Sequence, residues 1–273
     1  PATLNLDEAK IEEAITPRTR AIVPVHYAGI GCEMDSIISV ATRHDLLVIE
    51  DAAQAIMSTY KGRPLGGIGH MAAISFHETK VVISGEGGAL LVNDPRCTER
   101  AEIIREKGTN RSRFFRGEVA KYTWVDIGSS YLPSEIIAAF LWAQFEEAES
   151  IIRRRLALWE AYHEALGMLE EQGRVRRPVV PMDCQHNAHM YYVLLPSREM
   201  CRRVLEKLSG CGISAVFHYV PLHSSPAGRK FGRVAGDLSC TEDVSDRLIR
   251  LPLWVGMTPG MIARIVEAVG HVG

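Results

Sequence analysis

The sequence lacks the marks by which many functional classes identify themselves. No apolar run approaches the roughly 20 residues that cross a bilayer. The formal net charge is only −2, which gives neither nucleic acid nor an anionic membrane an electrostatic handle. The six cysteines (Cys32, Cys97, Cys184, Cys201, Cys211 and Cys240) are scattered without a Cys-x-x-Cys pair. That pattern argues against a zinc site or a disulfide framework, and free thiols in a reducing cytoplasm are the expectation. Ten histidines offer no His-x-x-x-His spacing for a helix-borne metal. There is no G-x-S-x-G elbow for a nucleophilic serine, and neither G-x-G-x-x-G nor G-x-x-x-x-G-K-[ST] for nucleotide phosphates. Residues 1–7 carry no basic n-region or apolar h-region, and the first residue is Pro1 rather than methionine.

What is present reads as an ordinary globular α/β chain. The 273 residues are 47% hydrophobic and 23% charged, enough for a large and a small domain. Apolar segments without alternation at 21–25, 46–49, 72–76 and 88–92 are expected strands. Helical spacing at 7–15, 34–43 and about 95–107 places helices between them. Such alternation specifies a mainly parallel sheet covered on both faces. Ligands of such sheets bind beyond the carboxyl ends of the strands, where Asp51 falls. Residues 108–126 have no period and mix Arg111, Arg113, Arg116 and Lys121 with Phe114, Phe115, Tyr122 and Trp124, which points to an ordered functional loop. Pro133 can open a helix running from Ser134 towards Gly167. The last third is expected to hold strands at 191–195 and 213–217, with helices at 198–208, 242–250 and 258–269.

One lysine of seven stands apart. Lys80 ends the run Ser75-Phe76-His77-Glu78-Thr79-Lys80, leaving an apolar strand for a glycine-rich loop. An acid at one strand end and a lysine after the next are the parts needed for pyridoxal phosphate (PLP) chemistry. The amine forms a Schiff base, and the acid keeps the pyridinium nitrogen protonated. Asp51 is the candidate acid, although Asp after a strand is also a common helix N-cap, and a loop lysine is commonly a solvated one. Gln54 can stack on or hydrogen-bond near the ring. Ser75 can offer its hydroxyl to phosphate, or it can be a buried, backbone-satisfied serine. Gly85-Glu86-Gly87-Gly88 is explained equally well by glycines that permit positive φ before a strand. His218 and His223 end a strand and have a plain polar-loop reading.

Taken together, Ile22 to Gly29, Glu50-Asp51-Ala52-Ala53-Gln54, Ser75 to Lys80, Gly85 to Gly88, His218 to His223 and Arg250-Leu251-Pro252-Leu253 resemble the DegT/DnrJ/EryC1/StrS sugar aminotransferases. The resemblance implies the aspartate-aminotransferase fold (PLP fold type I), with an incomplete large domain over 1–147 and a small C-terminal α/β domain over 148–273. It implies Lys80 as the Schiff-base lysine, Asp51 at the ring nitrogen, Gln54 on the ring face and Ser75 at the phosphate. Arg105 to Ser112 and Lys121 to Trp124 resemble the dTDP-4-amino-4,6-dideoxygalactose transaminase branch. That branch moves an amino group from L-glutamate to a dTDP-4-keto-6-deoxyhexose for surface glycans such as enterobacterial common antigen.

The alternatives are a pyridoxamine-dependent sugar dehydratase, in which histidine replaces the lysine, and a catalytically silent, truncated PLP-binding protein. A cytoplasmic homodimer is implied for the full-length enzyme, with no nucleic-acid or membrane partner. Two departures stand out: Val81 where many relatives carry Asn, and Gly128-Ser129-Ser130-Tyr131 where many place an Asn that reaches the partner subunit's phosphate. The resemblance also implies that Pro1 stands partway into the large domain, leaving the chain as given aggregation-prone and inactive.

Overall fold

The computed structural model describes residues 2–271; Pro1, where the sequence implies a start within the large domain, lies outside the described residues. The first sheet has four strands. Ala21–Ile22 pairs parallel with Leu47–Asp51, which pairs parallel with Met71–Ser75. Gly88–Val92 then folds back antiparallel, in register from Met71↔Val92 to Ser75↔Gly88. The expected mainly parallel sheet therefore ends in one antiparallel strand. Helix Met34–Arg43 turns Met34, Ile37, Val40 and Ala41 inward, the three- and four-residue spacing of an amphipathic helix. These side chains pack with Ile22, Ile30, Val48, Ala52 and Tyr60 to form the core under the sheet.

The chain from 134 to 167 is divided at Glu147 into Glu135–Glu146 and Ala148–Ala165, where the sequence points to one long helix. Ser134 caps the first, its Oγ accepting from Ile137 N. A second departure lies near the C-terminus. The helix expected over 242–250 is Ser239–Arg247, and Leu248–Leu251 is instead a central strand. It pairs antiparallel with Tyr191–Leu194 on one side and Val216–Phe217 on the other. Leu248, Ile249 and Leu251 are all buried, so this short apolar run needs cover on both faces, which a surface helix cannot supply. Helices Arg198–Gly210 and Pro259–Gly270 close the core around Tyr191, Val193, Val204, Leu208, Ile249, Ile262 and Ile265. Among the described residues no helix is long and apolar enough to cross a membrane.

Two buried polar side chains brace the fold, Asn187 across to the first sheet and Arg155 within the C-terminal part. Asn187 donates from Nδ2 to the carbonyls of Gln54 (3.0 Å) and Ile56 (2.9 Å), and its Oδ1 accepts from His189 N. Gly29, at φ +81°, lies against it, and a Cβ there would run into the Asn187 amide. Arg155 donates to the carbonyls of Ala188 (3.0 Å), His189 (2.8 Å) and Leu253 (3.1 Å). Burial lowers its pKa to about 10, still well above neutrality, so it remains a cation.

Candidate active site

Asp51 is the last residue of Leu47–Asp51, at the carboxyl end of the parallel strands. Its backbone is fixed on both sides: Asp51 N donates to Pro24 O (2.9 Å), and His26 N donates to Asp51 O (3.1 Å). One carboxylate oxygen accepts from Ala53 N at 3.1 Å. No helix follows, so this is a local turn contact and not the helix N-cap that an Asp after a strand suggests, and it leaves the second oxygen for a ligand. Lys80 is half-buried. Burial lowers the pKa of its amine, while Asp51 and Tyr219 oppose that shift electrostatically. Asp51 and Lys80 are thus brought into one electrostatic neighbourhood at the strand ends.

The loop that carries Lys80 is closed by the glycine run. Phe76 N donates to Gly87 O, Glu78 N to Gly85 O, and Ser84 N to Phe76 O, over 2.7–2.9 Å. Gly85 has φ +81°, and a Cβ on Gly88 would stand 2.8 Å from Ile74 O. The glycines therefore serve the hairpin and do not cradle a nucleotide. Val81 and Val82 are buried with Ile56, Phe76, Ala148 and Ile152. An apolar residue follows Lys80 because the loop is anchored in a greasy cluster.

Gln54 turns its Oε1 back onto Ala28 N at 2.7 Å, holding the 27–29 turn whose Ala28 has φ +56°. Ser75 is half-buried at the end of its strand, and His77 N donates to its Oγ at 3.4 Å. The expected basic loop is more structured and less free than its composition implies. It contains the helix Arg111–Phe115. Arg113 pairs with Glu99 and Glu118, and Arg116 with Glu102 and Glu118. Arg111 lies 5.0 Å from the Phe115 ring. Ser130 bridges antiparallel to Glu106.

Sequence reading missed two groups. The first is His26–Glu50, both fully buried, at 2.9 Å. Glu50 also accepts from the amides of Gly66 (2.8 Å), Ile68 (2.8 Å) and Gly69 (2.6 Å). Burial raises the Glu50 pKa, but His26 and these amides outweigh it and the net shift is downward. A Glu in an otherwise apolar strand was the available signal. The second group is Tyr27, His189, His218, Tyr219 and Arg250. Tyr27 Oη lies 3.4 Å from His218 Nδ1. His189 has a buried Nδ1 with no partner. Burial, with the charges of Lys80, Arg155 and Arg250, pushes its pKa down to about 3. A separate hollow of about 850 Å³, lined by Trp159, His163, Arg177 and His186 among others, touches neither Asp51 nor Lys80.

These residues fit PLP. A half-buried amine favours its neutral, nucleophilic form, a carboxylate with a free oxygen suits a pyridinium, and the His189 nitrogen, which feels the Lys80 charge, is buried without a partner. Comparisons agree. The profile of the DegT/DnrJ/EryC1/StrS aminotransferase family matches residues 1–270. The chain is 36% identical to GDP-perosamine synthase of Caulobacter vibrioides, over 100% of this chain and 71% of that protein. It is 30% identical to the spore coat polysaccharide biosynthesis protein SpsC of Bacillus subtilis, over 99% and 71% respectively. Helicobacter pylori PseC, an aminotransferase of pseudaminic acid biosynthesis, superposes with a TM-score of 0.88 at 26% identity, covering 98% of this chain and 70% of that one. The chain belongs to the DegT/DnrJ/EryC1/StrS aminotransferase family, with PLP fold type I and PLP-dependent transfer of an amino group to a sugar.

Proposed function

We propose that the chain moves an amino group from L-glutamate to C4 of a dTDP-4-keto-6-deoxyhexose, giving dTDP-4-amino-4,6-dideoxygalactose and 2-oxoglutarate. The carrying observation is that Lys80 feels the charge of Asp51, which stands at the carboxyl end of its parallel strand. In this reading Asp51 faces the ring nitrogen, Gln54 borders the ring, Ser75 binds phosphate, and Lys80 is the covalent anchor. Bound there, PLP supplies the carbonyl that carries the amino group and a ring that draws electron density from the reacting carbon. Lys80 Nζ, lowered in basicity by burial, takes the proton from the donor Cα and returns one at sugar C4. Val81 and Val82 keep water from the base of its loop. The Asp51 charge holds the ring nitrogen protonated.

The dTDP assignment is supported by the likeness of residues 105–112 and 121–124 to the dTDP-aminogalactose branch. The 36% identity to GDP-perosamine synthase favours a second reading, a GDP-linked acceptor. A homodimer belongs to the same proposal, and surface glycan synthesis is its setting. Helix Glu135–Glu146 buries no residue, while Ile136, Phe140 and Trp142 stand exposed. The test is turnover by the PLP-loaded enzyme with L-glutamate and 4-keto-6-deoxy sugars on dTDP, GDP or UDP. Preference for dTDP supports the first reading and preference for GDP the second. No amino sugar from any of the three refutes both.

A further inference from the structure

His26 is bonded to the strand Leu47–Asp51 twice. Its backbone N donates to the carbonyl of Asp51 at 3.1 Å, and its imidazole Nε2 meets Glu50 Oε2 at 2.9 Å. Two consecutive residues of one strand are thereby held by a single neighbour. Side chains alternate across a strand, so Glu50 lies with buried Val48 on one face of the sheet and Asp51 on the other.

The pair is enclosed. Cys32 N donates to His26 Nδ1 at 3.2 Å, and Glu50 also accepts from the amides of Gly66, Ile68 and Gly69. Both side chains are fully buried. Stability alone does not ask for charge in such a place, because well-packed apolar residues of similar volume often serve as well or better. What several directed donors do, and apolar packing does not, is hold one orientation.

That orientation passes to Asp51. The backbone torsions between Glu50 and Asp51 decide where the Asp51 side chain points. His26 holds them from both ends, through the Glu50 carboxylate and the Asp51 carbonyl. Asp51 N donates to Pro24 O, and Ala52 N to Ala73 O on the neighbouring strand, both at 2.9 Å. Ala53 N then occupies one Asp51 oxygen at 3.1 Å, which leaves the other to be presented in a single direction.

We infer that His26, acting through Glu50 and the Asp51 carbonyl, is a positioning residue for the Asp51 carboxylate, fixing from the far face of the sheet the direction of its free oxygen. This inference rests on the assignment of Asp51 to the cofactor's ring nitrogen. A pair that is itself fully buried then governs how firmly that nitrogen keeps its proton.

The test uses full-length, PLP-loaded enzyme whose cofactor carries an isotope-labelled ring nitrogen, read by NMR, with the variants His26→Leu, His26→Gln and Asp51→Asn. His26→Leu removes the donor to Glu50 but keeps the backbone amide. Its ring-nitrogen resonance is expected to move from the protonated position toward the neutral one, as in Asp51→Asn. Its kcat should fall about 10- to 100-fold, the scale of a misplaced group, with KM for L-glutamate within about threefold of wild type. His26→Gln, whose amide can still donate to Glu50, should recover most of both effects.

A lowered melting temperature of the His26→Leu apoenzyme, with resonance and kcat unmoved, would make the pair a brace for the fold alone and overturn the inference. If His26→Leu does not fold, Glu50→Gln is read by the same resonance. Movement toward the neutral position supports the role, and a signal at the wild-type position overturns it. Asp51→Asn separates this inference from the reading beneath it. No displacement there overturns the Asp51 assignment and the inference with it, whereas displacement in Asp51→Asn with none in His26→Leu overturns the inference alone.

Discussion

Replacing Glu50 with Gln tests the buried network that holds the strand end beside Asp51. Cys32 N donates to His26 Nδ1 at 3.2 Å, so His26 carries its proton on Nε2 and donates it to Glu50. All four groups facing the carboxylate are therefore donors: His26 Nε2 and the amides of Gly66, Ile68 and Gly69. A glutamine amide presents one oxygen and one NH2 group, and the NH2 must face donors whichever way it turns. At least one buried donor is left unsatisfied, and the hydrogen bonds that remain lose the carboxylate charge, so about 1–3 kcal/mol is expected. For a chain of this size that corresponds to a fall in Tm of roughly 2–12 °C.

The pH dependence gives a second readout. The Glu50 pKa is lower folded than unfolded. Its stabilisation is therefore present above the unfolded value, near 4.3, and lost as pH falls through the lower folded value. Glutamine has no such loss, so the gap between variant and wild type should narrow in acid. Calorimetric melting of the apoenzyme at neutral pH and near pH 4 measures both effects. A variant that melts within about 2 °C of wild type at pH 7, equivalent to under 1 kcal/mol, would refute the argument.

On the proposed assignment, Lys80→Ala keeps PLP non-covalently and loses turnover; borohydride reduction and peptide mapping should label Lys80 in the parent, and label on Lys61 or Lys107 counts against it. Asp51→Asn preserves shape without charge, so steady-state kcat should fall by orders of magnitude while cofactor affinity falls much less; unchanged kcat would mean that another group serves the ring nitrogen. Val81→Asn buries an amide among Ile56, Phe76 and Ile152 and should cost about 1–3 kcal/mol, read by denaturant melting; equal stability would show that the loop accommodates a polar anchor.

The sequence made the local parts of the site readable. Asp51 ends its strand as the apolar run 46–49 implies, and the glycines after Lys80 close a turn as their spacing allows. What stayed hidden depends on partners distant in sequence. Leu248–Leu251 carries a pattern compatible with a helix end, and only its burial between two strands makes it a strand. Arg113 and Arg116 read as part of a functional loop because no local pattern shows that Glu99 and Glu102 on the preceding helix, together with Glu118, take their charge. Glu50 and His26 are 24 residues apart, and no period connects them. Arg155 gives no hint in its helix that it faces three carbonyls rather than solvent.

The Asn187 tie has a consequence for spacing. One amide fastens the backbone after Asp51 to the segment that leads into strand Tyr191–Leu194, and that strand pairs Tyr192 with Arg250. Few soft torsions remain between the end of the large sheet and the centre of the small one. The protein thus carries a ruler of fixed length between its two walls. Whatever lies between them meets a spacing that the fold itself has set.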